Sequence, residues 1–243
     1  MDQPQLVAPS PGQVVDEAKT AAPSRDAADL AKSAEREKWR ASLREANQHA
    51  WLHGPHGSGD NLDASLKRNS AFIKRLKQTN LADAKDALVK EVQLLSLTKY
   101  LDELIPSIPE ILWKATTLKD RYAAIEILCA LHARFGGSEF TEPLLKVMEQ
   151  EIVPPPPKSQ DASNEQAQKE AALVARQRSL LRGVTEMVLV GLVGPMTQSE
   201  GVCAPGLNWL YEQLRKMLSQ DRDLVYTSVA QAILRSVSYT HLR

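Results

Sequence analysis

His49, His53 and His56 are the first side chains whose spacing could do chemistry. Four residues is about one helical turn, so His49 and His53 could offer two imidazoles to one zinc ion. No Glu stands between them to serve as a base, and His56 follows the Gly54–Pro55 break. Solvated histidines at a helix end are the simpler reading. Gly54 and Gly59 have the spacing of the two glycines in a phosphate-cradling loop. The Lys and hydroxyl that should follow are replaced by Asp60 and Asn61, and a carboxylate there would repel phosphate. Trp51 reads as an edge packing residue. Cys129 and His132, three apart, suggest a metal or nucleophile pair, yet no third ligand or orienting carboxylate accompanies them, so both read as core. No Ser–His–Asp or Cys–His arrangement can be assembled. The sequence points to a binding or scaffolding protein with no catalytic, metal or cofactor residues.

One set of charged residues remains. Lys67–Arg68 and Lys74–Arg75 are basic pairs seven residues apart, with Lys77 beyond. Nearly two helical turns separate the pairs, which stacks them on one side of a helix about 10 Å apart. Leu62, Leu66, Phe72, Ile73 and Leu76, with Asn69, supply an apolar stripe on the other side. A basic run of this kind is most often a solvated face. The functional reading makes Lys67, Arg68, Lys74, Arg75 and Lys77 a surface for RNA phosphates or for an acidic partner. No exposed aromatic accompanies the patch to stack a base. Thirty basic and thirty acidic side chains cancel over 243 residues, so any pull on nucleic acid must be local.

The elements that must carry these residues are helices. Residues 1–28 are rich in Ala, Pro, Asp and Ser and read as a disordered tail. Trp39, Leu43, Ala46 and Ala50 give one narrow stripe to a charged amphipathic helix within 29–56. Leu81, Ala84, Leu88, Val92 and Leu95 mark another helix, and SLTKYLDEL at 96–104 opens the next. Pro106 and Pro109 predict a kink or break between 105 and 109, with Ser107 and Glu110 capping a fresh turn. Thr117 and Asp120 cap the strongest periodic run, Leu118 to Phe135, which Gly136–Gly137 stops. Pro154–Pro157 open a polar linker whose four prolines are weak grounds for an SH3 or WW ligand. The helix over 165–193 turns apolar nearly all round from 184 onward, which marks burial on several sides. Stripes from Leu207 to Leu218 and from Val225 to Val237 complete the pattern. Nothing alternates with period two, so the class is all-α, a HEAT/ARM-like α-solenoid of antiparallel helix pairs. Cys129 and Cys203 are too few for a disulfide framework, and no apolar run reaches the length of a membrane span.

Four segments also carry a resemblance. SLKRNSAFIKRLK at 65–77, SLTKYLDEL at 96–104, EMVLVGLV at 186–193 and LNWLYEQLRKML at 207–218 are similar, in that order, to parts of one known domain. It is the first middle domain, of the initiation factor 4G type, in the second up-frameshift factor family, the scaffolds of nonsense-mediated mRNA decay. The resemblance implies a helical-repeat domain over 60–237, no catalytic activity, and a role bridging decay factors on terminating messenger RNA. It also implies a cytoplasmic or perinuclear home. The family's contacts to the other up-frameshift factors lie in later domains and a tail, beyond the resembling stretch. Against the family pattern, Pro106 and Pro109 fall inside a helix, and 153–168 and 195–206 read as loop insertions. The domain reads as truncated at its C-terminus, with SYTHLR at 238–243 a non-native end. A truncated stack exposes an apolar end, which predicts an aggregation-prone or only partly cooperative chain. Two other readings stay open: a translation-initiation middle-domain protein that binds an RNA helicase, and a generic HEAT-like adaptor.

Overall fold

The computed structural model describes residues 25–56, 62–78, 80–154, 163–194 and 205–241, with side chains from 29 to 235 within those spans. The helices among these residues are α1 (Arg25–His53), α2 (Leu66–Leu76), α3 (Leu81–Leu94), α4 (Leu101–Lys114) and α5 (Leu118–Gly136). They continue with α6 (Glu142–Glu151), α7 (Asn164–Leu189), α8 (Pro205–Leu218) and α9 (Thr227–His241). The expected tail lies outside the described residues as far as residue 24, and helix has already begun at Arg25, inside the stretch expected to be disordered. Much of both expected loop insertions also lies outside them, but α7 starts at Asn164 and α8 at Pro205, each within its insertion.

The chain divides into two compact units, one ending at Arg36 and one running Glu37–Arg243. In the first, α1 is exposed from Asp29 to Glu35, and Lys32 and Asp29 pair at 3.6 Å. In the second, helices pack on near neighbours in the sequence: α3 on α5, α4 on α6 and α7, and α7 on α8 and α9. That pattern is how a solenoid buries one continuous core. Phe72, Leu88, Leu104, Leu112, Ile125 and Phe140 are wholly buried in it.

The α1 segment from Glu37 on is part of this second unit, so the fold starts well before residue 60. Its stripe holds polar anchors as well as apolar ones. Trp39 stacks on Tyr122 with centroids 4.2 Å apart and donates to Glu126 Oε1 at 2.9 Å. Asn47 Nδ2 donates to Val190 O at 2.8 Å, and Trp51 Nε1 to Gly191 O at 3.1 Å. Trp51 is thus a packing residue, seated beside His132 and over Gly137. A Cβ on Gly137 would lie 2.2 Å from the Trp51 ring, and Gly136 takes φ +77, so the turn after α5 needs both glycines.

Of the kink or break expected at Pro106 and Pro109, the break does not occur: α4 is one helix with both prolines inside it. An internal proline costs about 3 kcal/mol of helix stability. Here Leu101, Leu104, Ile105, Ile108, Ile111 and Leu112 are buried on the same helix and offset that cost. Ser107 does not cap a new turn; its hydroxyl donates back to Leu104 O at 2.7 Å. The Thr117 cap does form, with Thr117 Oγ1 accepting from the Asp120 N–H at 3.0 Å.

Candidate nucleic-acid interface

The roll of α2 is set before the helix begins. Asp63 pairs with the end of α3 as an isolated parallel bridge: its N–H donates to Leu94 O at 2.9 Å and its carbonyl accepts from Ser96 N–H at 2.9 Å. Asn69 is fully buried, and its Nδ2 donates to Asp63 O at 3.2 Å and Ser65 O at 2.9 Å. With Phe72, Ile73 and Leu76 also buried, one face of α2 is committed to the core. Leu66, placed on that stripe by spacing, is instead 68% exposed, because it is the first helical residue and lies past the packed face.

The opposite side carries the five basic residues, and the structure sorts them into two rows. Arg68 pairs with Asp63 and Arg75 with Glu91, so both guanidiniums have a counter-charge. The Asp63 carboxyl is held below the usual carboxylate range, first by the N–H of Ser65 and then by Arg68. Lys67, Lys74 and Lys77 form no ion pair with a described residue. Lys67 and Lys74 are exposed and Lys77 is half-buried at the C-cap of α2. Lys77 also acts on a charged group carried by α4 and α7. The Glu110 carboxyl lies below its usual range, chiefly through its bond to Lys114 at 2.6 Å, with Lys77 and Arg176 adding to the effect.

Beside Glu110 is a feature that spacing does not show. The Arg176 guanidinium carbon sits 3.4 Å from the centroid of the Trp113 ring, and the same side chain pairs with Glu151. Trp113 is the penultimate residue of α4 and Arg176 lies well inside α7, so only tertiary packing joins them.

The other chemistry-bearing residues fall elsewhere. Cys129 is buried, accepts a hydrogen bond from Asn47 at 3.2 Å, and burial pushes its thiol up to about 12, which keeps it protonated. Burial lowers His132 to about 4, and its Nδ1 meets Thr141 Oγ1 at 2.8 Å. The exposed rings of His49, His53 and His56 gather, with centroids 4.3 and 5.2 Å from His49, but among the described residues no group has the arrangement of metal ligands. Gly59, Asp60, Asn61 and Cys203 lie outside the described residues. Elsewhere, Leu218, Leu224, Ala230 and Leu234, in α8, α9 and the turn between them, line an open apolar groove of about 730 Å³.

No protein-family profile matches the chain. Among curated proteins it is 39% identical over 132 residues to "Nonsense-mediated mRNA decay protein 2" of Saccharomyces cerevisiae, covering 54% of this chain and 12% of that protein. It is 32% identical over 192 residues to "Regulator of nonsense transcripts 2" of Mus musculus, covering 78% of this chain and 13% of that protein. The match therefore spans about an eighth of these relatives' length. Among solved structures, the N-terminal mIF4G domain of S. cerevisiae Upf2 superposes with a TM-score of 0.63 at 28% identity. That superposition covers 83% of this chain and 66% of the solved one. The chain is homologous to the Upf2/Nmd2 proteins of nonsense-mediated mRNA decay, and its helices adopt the fold of the Upf2 N-terminal mIF4G domain.

Proposed function

We propose that the chain is a non-catalytic scaffold domain that helps bridge decay factors on terminating messenger RNA, and that the lysine row of α2 is its contact with a polyanion. The carrying observation is the sorting of α2's charges. Arg68 and Arg75 are held by Asp63 and Glu91, while Lys67 and Lys74 are exposed, Lys77 is half-buried, and none of the three has an ion pair among the described residues. A chain of zero net charge that keeps three lysines on one helix face has a local field with reach of about 10 Å at moderate salt. The other up-frameshift factors are its proposed associates in the decay assembly, reached through parts of the longer relatives. No helix among the described residues is long and apolar enough to cross a membrane, and we place the domain in the cytoplasm or its perinuclear zone.

Lys67, Lys74 and Lys77 replaced together by Gln test the row. If it holds RNA phosphates, affinity for labelled single strands falls for all sequences alike. The log–log salt slope then becomes shallower by roughly 0.7 for each phosphate no longer neutralised. An acidic protein partner gives a loss of capture in pull-downs that persists after ribonuclease treatment. Unchanged slope, affinity and capture would remove the row from function.

A further inference from the structure

We infer that the Trp113–Arg176 stack is a base-stacking platform, and that the polyanion taken by the lysine row is single-stranded RNA. The inference deepens the reading of the lysine row and rests on it.

The platform is built before any ligand arrives. Arg176 lies over the indole at 3.4 Å, is tied to Glu151, and keeps 35% of its side chain exposed. Its neighbour Gln177 donates to Glu151 O at 2.6 Å, which fixes the end of α6 against α7 beneath the pair. A guanidinium held flat by an ion pair and an aromatic ring offers a base a stacking surface at little entropic cost. Trp113 is half-buried, so its indole supports the pair from the α4 side. Lys114 and Lys77 both act on Glu110, close enough with Arg176 to pull its carboxyl down. Lys67 to Lys77 spans ten residues, about 15 Å of helix, enough for a few nucleotides.

Net charge does not separate RNA from an acidic peptide here: Lys77, Lys114 and Arg176 set against Glu110 and Glu151 leave a surplus of one positive charge, which draws either polyanion. The Arg176 plane does separate them, because its charge is already answered by Glu151 while 35% of its side chain stays exposed. The part of Arg176 that stays exposed is the surface left for stacking, and only a nucleic acid brings bases to it. The aromatic residue of α2, Phe72, is buried in the core; the fold brings Trp113 to the patch from α4, across a helix boundary.

The test compares a short labelled oligouridylate with an abasic ribose-phosphate strand of the same length. The parent chain is expected to favour the uridylate by about tenfold, the lower part of the range for one stacked base. Arg176→Lys keeps the charge and loses the plane, so that preference falls towards unity while the salt slope for the abasic strand stays. Lys67, Lys74 and Lys77 changed to Gln do the reverse: the slope flattens for both strands and their ratio survives. Equal affinity of the parent for both strands overturns the platform and leaves the lysine row standing. Absence of binding to either strand overturns both. Trp113→Leu is the second variant, with thermal unfolding as its folding control; a uridylate preference surviving in both variants also overturns the platform. On the unaltered chain, a 5-bromouridine strand should photo-crosslink within the peptide that carries Trp113. Crosslinks confined to other peptides overturn the assignment without any mutation.

Discussion

The protein places charge in two regions and treats it in opposite ways. Where α1 meets α5 and α7, charge is buried and answered. Arg40 is 5% exposed and donates to both Glu186 oxygens at 2.9 and 2.7 Å. Burial works against the Arg40 charge, but the hydrogen bonds and charge of Glu186 outweigh it and raise its pKa. Arg44 donates to Leu189 O at 2.9 Å and pairs at 3.3 Å with the partly exposed Glu37. On α2, by contrast, three lysines have no ion pair among the described residues. Desolvation explains the difference. A buried charge without its partner costs several kcal/mol, whereas an exposed one costs almost nothing to leave free. Freedom to bind lies where pairing is optional, and the buried seam is committed to holding α1 in place.

The sharpest way to break this comparison is to unpair the seam. Arg40→Leu leaves Glu186, itself only 12% exposed, without its cation and should cost about 3 kcal/mol. Adding Glu186→Leu removes the stranded charge and should restore most of that loss. Urea midpoints at constant m-value measure both. A double variant no more stable than the single one would show that packing of α1, and not the ion pair, is what the seam supplies.

His132 sharpens the comparison through pH, because it is a buried titratable group in the same seam. Burial holds it near 4, against about 6.5 in an unfolded chain. The unfolded state therefore binds the extra proton first, and stability falls as pH drops from about 6.5 to about 4. The loss should total roughly 3 kcal/mol below that window and be absent above it. Denaturant midpoints across the window should show the decline, and His132→Gln should flatten it. An equal decline in the Gln variant would assign the effect to carboxylates.

Much of this was legible in residue order, and the remainder depended on contacts distant in sequence. Period-3.6 stripes and the Thr117 cap are local, so α2, α3, α5 and α8 can be read from their own residues. Pro106 and Pro109 misled as signs of a break because proline is a local breaker, while the burial that keeps α4 continuous comes from α6 and α7. The place of α1 was hidden for the same reason: a narrow stripe does not announce that Asn47 and Trp51 will bond carbonyls at residues 190 and 191. In the candidate interface, spacing found all five basic residues but could not divide them. Asp63 is close to Arg68 in sequence, yet Glu91 comes to Arg75 from another helix. The Trp113–Arg176 stack lay out of reach altogether, since nothing in either helix's own pattern refers to the other.

The smallest expected effect is the finest test of the division within α2. Lys67, Lys74 and Lys77 changed to Gln together should alter stability by less than about 0.5 kcal/mol, because no pair is broken and Gln propagates a helix nearly as well as Lys. Lys77 has two small opposing duties, since its charge favours the C-terminal end of α2 and acts on Glu110. Arg75→Gln, at a position only 36% exposed, should cost about 0.5–1 kcal/mol through the lost bond to Glu91. Arg68→Gln, more exposed at 56%, should cost less than Arg75→Gln. The order Arg75, Arg68, lysine row is the claim, and raising salt should compress it, since screening weakens exposed pairs most. If the lysine row proves as costly as Arg75, those lysines hold the fold together, and their outward facing is no sign of a binding surface.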